Sequence, residues 1–159
     1  MIRPTLLPAT DRTPTPWKNG GGVTSEVAVH PAGAGMNDFL WRVSIADVAE
    51  PGAFSTFPEI DRVLAVIEGQ LRLGVDGQQV RLSPETPAHA FPGDVDAFGE
   101  PLGGPVRDLN LMVRRGAWRG STEIVPPSDH VAIEPRAEQV LIVAIDTAKI
   151  VAGETFTLR

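Results

Sequence analysis

VLAVIEGQLRLGVDGQQVRL, residues 63–82, decides the fold. Residues 62–68 and 70–75 are β-branched and aliphatic, and Asp76-Gly77 divides LRLGV from QQVRL. An Asp-Gly pair between apolar runs predicts a hairpin whose two turn residues take positive φ. A similar segment, VLIVAIDTAKIVAGETFTL at residues 140–158, stands about half a chain away. Both open Val-Leu-x-Val, carry a glycine in the middle turn and end on Leu, so the chain reads as a duplicated β-unit. Outward from this stretch, period-two alternation recurs at 23–30, 39–46 and 107–114. In the first, Val23, Val27 and Val29 fall on one face and Thr24, Glu26 and His30 on the other. In the second, Phe39, Trp41, Val43 and Ile45 share a face opposite Arg42 and Ser44. In the third, Leu109, Leu111 and Val113 oppose Asp108, Asn110 and Met112. Loops are expected at 31–38, 83–88 and 99–105, further strands at about 118–125, 139–145 and 155–158, and one short helical turn near 47–50. The class is all-β.

Composition agrees with short strands and many turns. The 159 residues include 16 glycines and 15 prolines spread along the chain, and 42% are hydrophobic, enough for one domain or two subdomains sharing a core. A net charge of −6 argues against binding driven by phosphate neutralisation, so nucleic acid is not an expected partner. Cysteine is absent, which removes disulfides, a thiol nucleophile and Cys-ligated metal. Prolines interrupt the N-terminus and no apolar run approaches membrane-spanning length, so the expected location is cytoplasmic, with no membrane partner.

The segment Pro16-Trp17-Lys18-Asn19-Gly20-Gly21-Gly22-Val23-Thr24-Ser25-Glu26 groups an aromatic, an ammonium and a carboxamide before three glycines. Such a backbone approaches a ligand closely or takes positive φ. Two readings stand side by side, a pocket edge and a flexible loop.

In order along the chain, Trp17-Lys18-Asn19-Gly20-Gly21-Gly22 with Thr24 and Glu26, Trp41-Arg42-Val43-Ser44-Ile45-Ala46, Gly52-x-Phe54-Ser55-x-Phe57-Pro58 with Asp61-Arg62, Phe91-x-Gly93-Asp94, and Asp108-x-Asn110-x-Met112 together resemble the HutD/Ves family of small bacterial cupins. The resemblance spans residues 17–112. It implies a cupin (RmlC-like) β-barrel or jelly roll, arranged as a compact bicupin over 1–159. The first barrel would cover about 17–114 and carry the site, and a smaller cupin-like half would cover about 115–159. It also implies a role linked to histidine utilisation, by binding urocanate or a formylated or formiminated glutamate and limiting its accumulation. The family's other branch is stress-associated. Glu59 departs from the family pattern, where Gly is expected, so the local turn is expected to differ.

Cupins usually hold a metal through His-x-His, a downstream Glu and a later His. Here Arg62, seven residues before Gly69, stands where the Glu ligand would fall, and His30, His89 and His130 are far apart. No metal and no cofactor are expected. Arg62 suggests an anion site instead, because a guanidinium fork holds a carboxylate bidentately. Arg42 converges with it in this reading. Asn19, Asn110 and Ser44 fix a neutral amide, formyl or imine group, and Trp17 or Trp41 covers a flat ligand. Trp17, Lys18 and Glu26 form the edge, and Asp108 lies with Arg42 and Asn110 on the polar faces of their strands. Replacing Arg62 by Ala is expected to leave the fold intact. The competing reading makes Arg42 and Arg62 structural ion-pair partners of Glu26, Asp61 or Asp108.

The expected partner is a small anionic metabolite, with a homodimer left open. A binding or regulatory protein is favoured over an enzyme. The alternatives are a metal-free enzyme acting on a small carboxylate or sugar, with Glu26 or Asp108 as general base, and an interaction protein with a vestigial pocket. A sugar-epimerase chemistry lacks its Tyr, a metal dioxygenase its ligands, and a serine hydrolase its Gly-x-Ser-x-Gly elbow.

Overall fold

The computed structural model describes residues 5–126, 131–133, 137–145, 150–151 and 156–158. The chain divides into two compact units, one of Leu7–Ile124 and one of Met1–Leu6 with Val125–Arg159. In the larger unit a 3-10 turn at Ala9–Asp11 precedes ten strands: β1 (Pro14–Pro16), β2 (Gly22–His30), β3 (Trp41–Val48), β4 (Gly52–Phe54), β5 (Ile60–Glu68), β6 (Leu71–Val75), β7 (Gln78–Leu82), β8 (His89–Pro92), β9 (Ala97–Pro101) and β10 (Val106–Arg114). They form two sheets, ordered β1-β2-β3-β10-β5-β8 and β4-β9-β6-β7. Every pairing is antiparallel. The smaller unit holds β11 (Val131–Ile133), β12 (Ile150–Val151) and β13 (Phe156–Leu158), in a sheet ordered β11-β13-β12.

The Asp76-Gly77 hairpin forms as the sequence requires. Val75 pairs with Gln78, and the two turn residues have φ of 47° and 77°. Around it the two sheets close on one apolar core. Ala46, Val48, Leu64, Val66 and Val106 come from the six-stranded sheet, and Leu71, Leu73, Leu82 and Ala97 from the four-stranded one. Each fully buried aliphatic side chain of this kind contributes about 1.5–3 kcal/mol. A second cluster of Phe39, Ile60 and Met112 packs with Val29, Ala34 and Phe57.

These clusters fix which face of each strand looks inward. Ala46, Val48, Leu64, Val66, Val106 and Met112 face the space between the sheets, so the period of two also turns Arg42, Ser44, Arg62, Asp108 and Asn110 inward. The polar sides of β3 and β10 are therefore interior. Their apolar sides form the outer face of the sheet, where the chain beyond β10 lies against Leu111 and Val113. A Cβ on Gly120 would stand 2.7 Å from Leu111 Cδ2.

Several local expectations are corrected. A register shift in β2 between Glu26 and Ala28 pairs Glu26 with Ser44 but Val29 with Arg42 and His30 with Trp41. This bulge turns Val29 inward and His30 outward, so strict alternation fails past Glu26. The loop expected at 99–105 begins later, because β9 runs through Pro101. β3 continues to Val48 in place of a helical turn at 47–50. Residues 118–125 and 139–145 form no strand. Apolar β-formers report packing on a sheet surface, which residues near Gly120 achieve without a ladder of their own. The strand expected at 155–158 is β13, antiparallel to β12. Residues 146–149 and 152–155 of the repeat lie outside the described residues.

Candidate functional site

Arg62 is the centre of the polar layer between the sheets. It is 6% exposed on β5, a strand whose other inward residues are aliphatic. Its Nε donates to Asn110 Oδ1 across β10 at a long 3.4 Å, and Nη1 donates to the Ser55 carbonyl at 3.2 Å. Three rings surround the guanidinium carbon, with centroids at 5.6 Å (Phe54), 5.5 Å (Phe57) and 5.1 Å (Phe91). Ring faces stabilise a desolvated cation by about 0.5–2 kcal/mol each way such contacts are measured. No carboxylate among the described residues forms an ion pair with Arg62. Burial lowers its pKa to about 10, with Asp108 raising it in opposition, so it is a cation at neutral pH.

The rest of the layer is set by register. Glu26, Ser44, Asn110 and Leu64 lie in one row across β2, β3, β10 and β5, with His89 of β8 at its end. The next row holds Val29, Arg42, Met112, Arg62 and Phe91. Arg42 is half-buried and pairs through Nε with Glu26 Oε2 at 2.9 Å, as the ion-pair reading expected for that pair. Ser44 and Asn110 are buried opposite each other. One row away from them, Asp108 is 2% exposed between Ala46 and Val66. Burial pushes its carboxyl up to about 7, against the opposing pull of Arg62 and with a small push from Asp47. No hydrogen bond is among those causes. Asp61, the third carboxylate considered for Arg62, pairs with Arg115 at 2.8 Å instead.

The glycine-rich motif is the hairpin loop between β1 and β2. Trp17 N donates to the Gly22 carbonyl at 2.9 Å, and Gly20 N to the Trp17 carbonyl at 3.0 Å. Asn19 Oδ1 accepts the Gly21 N–H at 2.9 Å, and the Gly21 carbonyl accepts from Ala49 and Glu50. The Trp17 indole donates to Thr24 Oγ1 at 2.7 Å and meets the Phe54 ring edge-on at 5.9 Å. Gly22 is required by close approach, since a Cβ there would stand 2.8 Å from the Asp47 carbonyl and 2.9 Å from Trp17 Cδ2. Lys18 is exposed. So the structure brings Arg42, Ser44, Arg62, Asp108 and Asn110 to one layer between the sheets, with the exposed Glu26 at its rim, paired with Arg42. Trp17 joins them through Phe54, whereas the Asn19 oxygen is engaged within its own loop. Trp41 faces outward, stacked on His30 with ring centroids 5.8 Å apart.

Sequence reasoning did not assign the Phe54, Phe57 and Phe91 box. All three belong to the ordered motifs that also hold Arg62, a signal that stays silent because aromatic residues in a β-protein read as core. The burial of Arg62 also corrects the expectation about Arg62→Ala, because truncation would empty a cavity inside the phenylalanine box.

Among the described residues no group of three or more His, Cys, Asp or Glu is placed to hold a metal ion. His130 lies outside them. No helix among the described residues is long and apolar enough to cross a membrane. A groove of about 650 Å³ opens on the four-stranded sheet, lined by residues including Phe54, Gly74, Asp76, Asp96 and Phe98. Its lining has two acids and no base, so it does not suit an anion, and the polar layer around Arg62 is the better candidate.

The family profile described as HutD matches residues 9–159. An uncharacterised 21.2 kDa protein in the hutC 3′ region of Pseudomonas putida is 45% identical over 115 residues, covering 72% of this chain and 60% of that protein. Protein Ves of Cronobacter sakazakii is 33% identical over 111 residues, covering 68% and 59%. The chain thus spans about three fifths of the length of the curated relatives it matches. Among solved structures, HutD from Pseudomonas fluorescens SBW25 is similar at 45% identity and a TM-score of 0.60, covering 66% of this chain and 57% of that one. KdgF from a Halomonas species is similar in fold alone, at 15% identity and a TM-score of 0.56 over 71% of this chain and 96% of that one. The all-β, antiparallel architecture is cupin-like.

Proposed function

The chain belongs to the HutD family, and we propose that it is a metal-independent receptor for a small carboxylate metabolite of the urocanate or formyl- and formimino-glutamate class. Binding would take place in the layer between the sheets, in the first cupin of a bicupin, and would serve histidine utilisation. One observation carries the reading. Arg62 is a buried cation, boxed by three aromatic rings, with no ion-pair partner among the described residues. An uncompensated buried charge is costly, and a ligand carboxylate relieves that cost. Asn110 and Ser44, buried opposite each other, supply the amide and hydroxyl that fix a formyl, imine or imidazole group. Arg42 and Glu26 form the polar rim, with the Trp17-Lys18-Asn19 loop beyond them. The hutC-region name of the Pseudomonas putida relative supports the link to histidine utilisation.

The test is a thermal-shift screen of urocanate, N-formyl-L-glutamate and N-formimino-L-glutamate, followed by calorimetry. A ligand at 100 times its Kd adds about 2.7 kcal/mol of stability. Arg62→Met keeps the volume inside the box while removing the charge, and is expected to weaken binding by roughly ten- to a hundred-fold, the loss of a charge-assisted hydrogen-bond pair. Equal affinity in wild type and Arg62→Met removes Arg62 from the site.

A second reading is favoured by Asp108, whose carboxyl, held near 7, has the proton affinity of a general base at neutral pH. In that reading the protein is a metal-free enzyme on the same ligands. Product formation from any of the three, lost in Asp108→Asn, distinguishes it from a receptor.

A further inference from the structure

Two opposite charges are buried on the inner face of the six-stranded sheet, and no ion pair joins them. Arg62 reaches from its own row to Asn110, and Asp108 lies one further step along β10, about 7 Å from Asn110 at the strand repeat. The groups around Asp108 are named by register and packing. Thr24, Ala46 and Val66 share its row. Its row neighbours Ala46 and Val66 belong to the apolar core that Leu71, Leu73 and Ala97 complete from the other sheet. By register, the charged or titratable side chains on the same sheet face besides Arg62 are Glu26, at the exposed rim, Arg42 and His89, one or two rows away, while Asp47 is exposed on the neighbouring strand. Glu26 and Arg42 neutralise each other. The interior charge balance therefore reduces to Arg62 and Asp108.

We propose that carboxylate binding at Arg62 is linked to protonation of Asp108, so that the site takes up its anion together with a proton. This inference rests on Arg62 being the anion anchor. The physical reason is a competition for one cation. Before an anion binds, Arg62 is, among the described residues, the one buried cation without an ion-pair partner that acts on the Asp108 carboxylate. An anion seated on Arg62 cancels that attraction and adds a negative charge in a poorly screened interior. The ionised form of Asp108 is then disfavoured and its carboxyl takes a proton. The complex holds more protons than the free protein, so affinity is greatest where Asp108 is already neutral and falls as pH rises through its titration and on to the higher pKa of the complex. No bond other than O–H at Asp108 forms, and solvent supplies the proton.

Calorimetric titration with N-formyl-L-glutamate, and with acetate as a simpler carboxylate, at about pH 6 and pH 8 reads this directly. Affinity is expected to fall by up to about tenfold between the two, the limit for one proton taken up by a carboxyl that titrates near 7 in the free protein. Titration in buffers of different ionisation enthalpy is expected to show net proton uptake of about half a proton per anion near pH 7, rising toward ~1 at pH 8. Asp108→Asn should bind at pH 8 as wild type does at pH 6, with no proton uptake. His89→Gln should keep the wild-type pH dependence. The inference is overturned if affinity and proton uptake are flat with pH in wild type, if the dependence survives in Asp108→Asn, or if it vanishes in His89→Gln. An anion that binds and is lost in Arg62→Met, without proton uptake, overturns the linkage while leaving the receptor reading in place. Binding that ignores Arg62→Met, or no binding of either probe at any pH, overturns both.

Discussion

Phe91 pairs directly with Arg62 across β5 and β8, and its ring centroid stands 5.1 Å from the guanidinium carbon. Phe54 and Phe57 close the other sides of the same cation. An arginine between sheets would ordinarily be matched by a carboxylate. Here rings, one carbonyl and one carboxamide hold it, and no carboxylate among the described residues forms an ion pair with it.

Phe91→Leu tests whether the box stabilises the cation or only fills space. The substitution loses ring area and one cation–π contact, and is expected to cost about 2 kcal/mol in urea unfolding. In an Arg62→Met background the same change should cost less, by about 0.5–1 kcal/mol, because the charge the ring faced is gone. Additive costs in the double-mutant cycle would mean that the rings make no specific contact with the guanidinium.

Asp108→Asn addresses stability rather than binding. The folded carboxyl titrates near 7, well above the usual carboxylate range. Its protonation therefore favours the folded state. That contribution is fully present below the unfolded pKa of about 4 and is lost as pH rises through about 7. Between those limits the shift corresponds to roughly 4 kcal/mol. Asp108→Asn, which cannot ionise, is expected to be more stable than wild type at pH 8 by a few kcal/mol and close to it at pH 4. Chemical denaturation at both pH values checks the difference between the two gaps. An equal gap at both values would show that Asp108 ionises normally in the folded protein.

The sequence made the all-β strand pattern legible because local chemistry fixes it. Asp76-Gly77 needs no tertiary context, and the alternation in β10 survives intact from Val106 to Arg114. What alternation does not say is which face is interior. Leu109 and Leu111 form the apolar side of β10, yet Asp108 and Asn110 are the residues turned between the sheets, because the outer face is covered too. The bulge at Val27 was invisible for a similar reason, since a one-residue insertion leaves composition unchanged while re-aiming Val29 and His30. Arg62, Arg42, Ser44, Asp108 and Asn110 were nameable as a set because they break an apolar pattern. The box of Phe54, Phe57 and Phe91 was not, because aromatic residues in a β-protein read as core until a cation is placed among them.

Gly22→Ala tests the close approach at the start of β2. The added methyl would meet the Asp47 carbonyl at 2.8 Å and the Trp17 ring at 2.9 Å. Backbone cannot yield cheaply there, because Gly22 pairs with Val48 and its carbonyl accepts from Trp17. A loss of about 1–3 kcal/mol is expected, the range for overpacking a filled site. A methyl tolerated without loss would show that Trp17 can swing away from the loop.

Glu59 is where the chain departs from the glycine its family resemblance leads one to expect, and it has a positive φ of 62° all the same. The surroundings enforce that backbone. Glu59 N–H donates to Asp94 Oδ2 at 2.9 Å, and its carbonyl accepts the Arg115 N–H at 2.8 Å. Arg115 in turn pairs with both Asp61 and Asp94. Those two backbone bonds need no side chain at position 59, so Glu59→Gly keeps them and removes the left-handed penalty on an L-residue, about 1–2 kcal/mol. Against this stands the extra unfolded-state freedom of glycine, roughly 0.5–1 kcal/mol. A net gain of about 0.5–1 kcal/mol follows from the difference. Glu59→Val should go the other way, because a β-branched side chain is the worst fit to that conformation. Urea midpoints of the three proteins are expected to rank Gly above Glu above Val. A Gly variant less stable than wild type would mean that the Glu59 side chain contributes more to this turn than its backbone strain costs.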